Sequence, residues 1–152
     1  MNEYKIRKAV ITGGSGGVGI ALIQKLISEN VEVVVFQRKD SKRKNNLPKH
    51  KLLKIEYCSL EELKDYCPKE TGYDVFFHLG WANTQRAMRN NIDEQNKNVI
   101  YSCYAVEAAH KMGCHTFIGA GSQAEYGRCE EALSANTLCR PETAYGVMKL
   151  CA

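Results

Sequence analysis

Five of the chain's twelve glycines fall between positions 13 and 19. They form the string Thr12-Gly13-Gly14-Ser15-Gly16-Gly17-Val18-Gly19. Glycine loses more conformational freedom on ordering than any other residue, so this density reads as a turn rather than an element interior. Ala9-Val10-Ile11 before it is a short strand core. After it, Val18, Leu22 and Leu26, with Ile23 and Ile27, recur at helical spacing as far as Glu29. A strand, a glycine turn and a helix in that order bring free N–H groups and the positive end of a helix dipole to one point. Two registers coexist, Gly14-x-Gly16-x-x-Gly19 and Gly13-x-x-Gly16-x-x-Gly19. In such a turn one glycine makes the bend, one lets backbone approach a pyrophosphate, and one lets the helix pack on the strand.

This is the context of a dinucleotide-binding turn, built from Gly13, Gly14, Ser15, Gly16, Gly17, Val18 and Gly19. No Gly-Lys-Ser/Thr follows, which excludes a nucleoside-triphosphate loop. The bland alternative is a plain flexible turn. The end of the second strand bears on which dinucleotide fits, because an acid there would hold a ribose 2′-hydroxyl. The sequence has Phe36-Gln37-Arg38-Lys39, with no acid before Asp40. A guanidinium at Arg38 can make a forked pair with a 2′-phosphate, so of NADP and NAD the former is favoured. Arg38 also opens a basic run. Eight basic residues and one acid lie between Arg38 and Lys54. That run is either a solvated connection or the rim of a pocket that meets phosphate.

The rest of the chain alternates strand and helix patterns. Val31 to Phe36 is nearly all apolar, as a strand buried on both faces should be. Leu52 to Tyr57 is a third strand. Ser59 and Glu62 form a capping-box pattern that opens a short helix, which stops at Cys67-Pro68. Tyr73 to His78 is a fourth strand. Residues 80–92 read as a loop. Asp93 to Met112 is a long helix ended by Gly113. Thr116-Phe117-Ile118 is a fifth strand. A loop runs from Gly121 to Arg140, and Pro141 opens a last helix at its first-turn position. The expected fold is α/β, a Rossmann-type doubly wound parallel sheet of about five strands.

At 152 residues the chain has the size of one domain. Its 44% hydrophobic and 25% charged composition excludes disorder and fibrous classes. The net charge of +4 is concentrated in the basic run and does not read as a nucleic-acid face. No apolar stretch is long enough to span a membrane. Met1-Asn2-Glu3-Tyr4-Lys5 shows no apolar leader, so a cytoplasmic location is expected. The seven cysteines include no Cys-x-x-Cys pair, so no metal site is expected. Free thiols in a reducing compartment fit this pattern, with Cys103 and Cys114 as small core residues.

Tyr145 and Lys149 stand at i and i+4, on one face of the last helix. A nearby ammonium stabilises a phenolate and makes the tyrosine a usable acid or base. Tyr4 and Lys8 share the spacing by chance. Only the second pair follows the fifth strand, near the carboxyl ends of strands where ligands bind in open α/β sheets. Ser122 lies directly after that strand and could bond the oxygen that Tyr145 protonates, or be a plain loop serine. His78 reads as a satisfied packing residue.

Together these residues resemble the extended short-chain dehydrogenase/reductase family, in its branch of NAD(P)-dependent nucleotide-sugar epimerases and dehydratases. The resemblance runs from Ala9 to the end. It rests on the glycine string, on Asp74-Val75-Phe76-Phe77-His78-Leu79-Gly80, on Asn98, on Gly121-Ser122 with Glu125-Tyr126-Gly127, and on Tyr145-x-x-x-Lys149. The stretches His78 to Ala82 and Gly121 to Gly127 look like members of surface-polysaccharide pathways. The resemblance implies Ser122, Tyr145 and Lys149 as catalytic positions. It implies Asn98 as a structural residue near the cofactor, and Leu79-Gly80 as a strand end lining it. Cys58-Ser59 and Gln37-Arg38 depart from the acids common in the family, and Gly80 stands where alanine is commoner. Members are roughly twice this length, a nucleotide-binding lobe plus a substrate lobe. Residues 1–152 are therefore expected to form an incomplete Rossmann domain that stops inside the Tyr145–Lys149 helix, before the later strands and the substrate lobe. The implied activity is hydride transfer on a nucleotide sugar by an epimerase, dehydratase or ketoreductase. Little turnover and a tendency to homo-oligomerise are expected of this chain alone. The alternative is a dinucleotide-binding module without turnover.

Overall fold

The computed structural model describes residues 5–152, with the Arg86 side chain excepted. The readings that rest on Met1–Tyr4, the expectation about a leader and the Tyr4–Lys8 spacing, lie outside the described residues. The contacts divide the chain into two compact units. One runs to Gly80 and resumes over Tyr104–Gly119; the other takes Trp81–Cys103 and Ala120–Ala152.

The first unit is a parallel five-stranded sheet with helices. Its strands are β1 (Lys8–Thr12), β2 (Glu32–Gln37), β3 (Leu53–Tyr57), β4 (Val75–His78) and β5 (Thr116–Gly119). Helix α1 (Gly17–Ser28) joins β1 to β2, and α2 (Ile92–Lys111) enters this unit at Tyr104. The strand order is β3-β2-β1-β4-β5, so the order reverses between β1 and β4. That reversal is the switch point of a Rossmann fold.

Both faces of the central strands are covered, which explains their continuous apolar sequence. Ala9, Ile11, Val33, Val35 and Val75 pack with Ile23 and Leu26 of α1. Their neighbours Val10, Val34, Phe36 and Phe76 pack instead with Ala105, Ala108 and Ala109 of α2 and with Met112 just past its end. Those four residues recur at i, i+3, i+4 and i+7, and the three on α2 are alanines, so the helix lies close to the sheet. Gly113 ends α2 with φ +79°, where its N–H donates to His110 O and that of Cys114 to Ala109 O. The edge strands differ from the centre: Ile55 and Tyr57 on β3 and Ile118 on β5 are exposed.

Three sequence expectations change. The Ser59–Glu62 capping box forms, with Ser59 N–H donating to Glu62 at 2.6 Å and Glu62 N–H to Ser59 Oγ at 3.3 Å. It opens only a 3-10 turn, Glu62–Asp65, because the few residues before Pro68 leave no room for more while Leu63 is driven into the core. Cys103 is exposed rather than a core residue, since it falls off the alanine stripe of α2; Cys114 does pack against the core. Pro141 does not open the last helix.

The second unit holds the start of α2, 3-10 turns at Arg86–Met88 and Gln123–Glu125, and α3 (Ala144–Cys151). Thr143, not Pro141, caps α3: its hydroxyl accepts the Gly146 N–H at 3.0 Å. Gly146 is buried because α3 presses on the 123–125 turn, where an added Cβ would strike Ala124 O. Among the described residues, no helix is long and apolar enough to cross a membrane.

Candidate functional site

In the first unit the glycines divide their work. Gly13 has φ +73°, and a Cβ on it would lie 2.7 Å from the backbone of Leu79 and Gly80. It therefore bends the chain and lets the end of β1 touch the end of β4. Gly14 leaves room for Val35, and Gly19 lets α1 sit on the turn itself. Gly16 and Gly17 are different. A Cβ on Gly16 would meet only Gly13 O, at 3.4 Å, and one on Gly17 would meet nothing within 4 Å. Their missing side chains leave space open at the first turn of α1. No side chain caps that helix start and no acid stands in its first turn. An uncapped, unopposed helix N-terminus offers N–H donors and positive potential to an anion. The cradle fits a pyrophosphate.

Thr12 holds the floor of this turn. Its hydroxyl is within 2.9 Å of His78 Nδ1 and accepts the Gly80 N–H at 3.2 Å. Both Thr12 and His78 are buried, and the His78 ring also stacks on Phe117. At the far end of the sheet, Asp74 accepts the N–H groups of Arg7 and Lys8, at 2.7 and 2.9 Å. Burial pushes the Asp74 carboxyl up, but these two bonds and the charges of Arg7 and His115 hold it below the usual aspartate value.

At the end of β2, Gln37 is buried and Arg38 is exposed, its Nε 4.0 Å from the Asp40 carboxylate. The basic run is anchored by Leu47, which enters the α1-side core. Part of it lines an open groove of about 640 Å³ with Leu53 and Ile55. That groove is not lined by any glycine-turn residue.

Asn98, Ser122, Tyr145 and Lys149 all belong to the second unit. Lys149 is half-buried and donates to Ala120 O at 2.6 Å. Burial lowers its pKa below the ordinary lysine value, and the Glu125 charge partly offsets this. Tyr145 carries the Arg89 guanidinium over its ring, 4.3 Å from the centroid, and its N–H donates to Arg89 O at 2.8 Å. Ser122 caps the Gln123–Glu125 turn: its Oγ accepts the Ala124 N–H at 3.2 Å, and its own N–H donates to Glu125 at 2.5 Å. A hydroxyl that accepts a bond still has a proton to donate. Asn98 grips the Ala82 backbone from both sides, accepting its N–H at 2.6 Å and donating to its carbonyl at 3.2 Å.

Sequence reasoning passes over Arg89 and Gln95, and it quotes Thr12, Trp81 and Glu125 within motifs without giving them a role. Ser122-x-x-Glu125 is a readable capping pattern. For Thr12 and Arg89 there is no local signal, because their partners stand more than fifty residues away. Among the described residues, no three His, Cys, Asp or Glu side chains converge as a metal set.

The model of the NAD dependent epimerase/dehydratase family matches residues 9–152. A Bacillus subtilis (strain 168) protein described as an uncharacterized UDP-glucose epimerase, YtcB, is 28% identical over 94% of this chain and 48% of its own length. The dTDP-4-dehydro-6-deoxyglucose reductase of Escherichia coli is 26% identical over 93% and 47%. A solved UDP-galactose 4-epimerase superposes with a TM-score of 0.81 at 23% identity, over 95% of this chain and 48% of that one. MoeE5, solved with UDP-glucose and NAD, gives 0.76 at 26% identity, over 95% and 46%. The chain spans about half the length of the curated relatives it matches.

Proposed function

Because the chain belongs to the NAD-dependent epimerase/dehydratase family, we propose that it carries the cofactor seat and the proton-transfer residues of an enzyme acting on nucleotide sugars, as an epimerase, dehydratase or ketoreductase. The observation that carries this reading is the uncapped start of α1, with only Gly13 O near a Cβ at Gly16 and open space at Gly17. Gly13, Gly14, Ser15, Gly16, Gly17, Val18 and Gly19 would hold the dinucleotide's phosphates, with Leu79 and Gly80 beside them. When bound, its nicotinamide supplies hydride chemistry. The phenol of Tyr145 takes the proton from a sugar hydroxyl or returns it to a carbonyl. Lys149, one turn further on α3, keeps positive charge beside the phenol. Ser122 donates its remaining proton to the substrate oxygen. Asn98 fixes the segment after β4 rather than touching substrate.

We favour NADP over NAD. The support is Arg38, exposed at the end of β2 and loosely engaged by Asp40, with Gln37 in place of an acid. The reading extends to a cytoplasmic location and to self-association, for which the exposed β5 edge is the support.

The test is a titration of cofactor fluorescence with the wild-type chain and with Gly16→Val. A Cβ at Gly16 meets only Gly13 O, at 3.4 Å, so the expected result is a folded protein with at least about tenfold weaker binding. Unchanged binding in that variant would sink the reading.

A further inference from the structure

Trp81 is the chain's single tryptophan, and it stands among the polar side chains of the second unit. Lys149 Nζ lies 3.9 Å from its ring centroid. Tyr145 meets it edge-on, with centroids 5.8 Å apart and planes at 81°. The indole N–H donates to Gln95 Oε1 at 2.9 Å. Gln95 is fully buried, and its amide donates to Asn83 O and Met88 O, each at 2.9 Å. Three residues along α2, Asn98 clamps the neighbouring Ala82 backbone. One buried amide of α2 therefore holds the indole, and a second holds the backbone of the next residue.

Lys149 is desolvated, and the charged group that favours its ammonium is Glu125, on the 123–125 turn. The Tyr145 ring meets the same indole, and the Arg89 guanidinium lies over that ring. An indole face stabilises a cation without adding a counter-charge or a proton acceptor. A carboxylate in its place would pair with the ammonium and compete with the phenol for its field.

We propose that Trp81 is the positioning residue of the Tyr145–Lys149 pair: its indole seats the Lys149 ammonium and props the Tyr145 ring beside it. This rests on reading those two residues as the proton-transfer pair. Phenylalanine at position 81 keeps an aromatic face, and leucine keeps only bulk. A residue that merely fills space would be replaced equally well by either.

The test uses the full chain and needs no turnover. The reactivity of Lys149 toward acetic anhydride is followed by mass spectrometry from neutral to alkaline pH, in wild type, Trp81→Phe and Trp81→Leu. In Trp81→Leu the Lys149 titration should fall by roughly half to one pH unit. Trp81→Phe should stay close to wild type. In parallel, Trp81 emission is followed over the same range in wild type and Lys149→Met. The wild-type emission should change as Lys149 loses its proton, and Lys149→Met should abolish that change. Equal Lys149 titrations in the two Trp81 variants, or the same emission curve with and without Lys149, would overturn the proposal. If Trp81→Leu does not fold, the emission comparison decides alone. Cofactor titration reports separately on the glycine turn, so loss of dinucleotide binding with these results intact would count against the enzymatic reading alone.

Discussion

The two units prepare for chemistry in opposite ways. In the sheet unit the candidate ligand seat is made of backbone: positive φ at Gly13, empty space at Gly16 and Gly17, and free N–H groups at the start of α1. In the second unit it is made of side chains, each held by others: Trp81 by Gln95, Lys149 by Ala120 O and Trp81, Ser122 by Glu125. A backbone seat needs small residues at adjacent positions and is written in a few letters. A side-chain seat needs partners drawn from distant segments, and each partner must itself be satisfied.

The largest test of that contrast is Gly13→Val. A β-branched residue is strained at φ +73°, and its Cβ would press on the Leu79–Gly80 backbone. A loss on the order of 4 kcal/mol or more is expected in urea unfolding. A loss below about 1 kcal/mol would mean that the turn relaxes and is not a rigid seat. Gln95→Leu comes next. It leaves the Trp81 N–H and the carbonyls of Asn83 and Met88 without their buried partner, for about 2–4 kcal/mol. Hydrogen exchange should rise in 81–103 while β1 and β2 stay protected; an equal rise in both would erase the distinction between the units.

Asp74→Asn acts inside the sheet unit but through a side chain. Losing charge on the acceptor of the Arg7 and Lys8 N–H groups should cost about 1.5–3 kcal/mol near neutral pH. The folded pKa of Asp74 lies below its unfolded value, so this stability is complete above about pH 4 and is lost as pH falls through the folded pKa. The gap between wild type and variant should therefore close in acid, and a gap that persists there would assign the loss to packing instead. The smallest structural effect is expected from Arg38→Ala. Its exposed, 4.0 Å ion pair is worth less than about 0.5 kcal/mol in thermal unfolding. The same change should weaken NADP by about 1.5–3 kcal/mol and leave NAD alone. Equal losses for both would reduce Arg38 to part of a solvated run.

How far the molecule is legible in its sequence follows from the same contrast. The alternation of strands and helices is readable because strands buried on both faces are nearly all apolar, as from Val33 to Phe36. Gly113 is readable as a helix end because one residue type suits its φ of +79°. The start of α3 is not. Pro141 is the helix-start signal in the sequence, and only the Thr143–Gly146 bond shows that the cap falls at Thr143 instead. Cys103 misleads for a related reason: being apolar is local, but falling on the alanine stripe is a matter of phase. The glycine turn is legible whole. The i, i+4 spacing of Tyr145 and Lys149 on one helix is legible, while Trp81 and Arg89, which touch them, lie more than fifty residues away and leave no mark in spacing.

The double coverage of β1 and β4 has one further consequence. Where a single face is buried, sliding a strand by one residue turns its apolar set outward, and water corrects the error. Here Ala9, Val10 and Ile11 are apolar on both sides, so a strand slid by one position would still bury hydrocarbon throughout. Hydrophobicity proofreads nothing. The mistake is caught only at the two ends. A shifted β1 would pull the Arg7 and Lys8 N–H groups from Asp74 at one end, and Thr12 from His78 and Gly80 at the other. Orphaned buried polar groups are costly, so these few bonds do their work mainly on structures the chain never keeps.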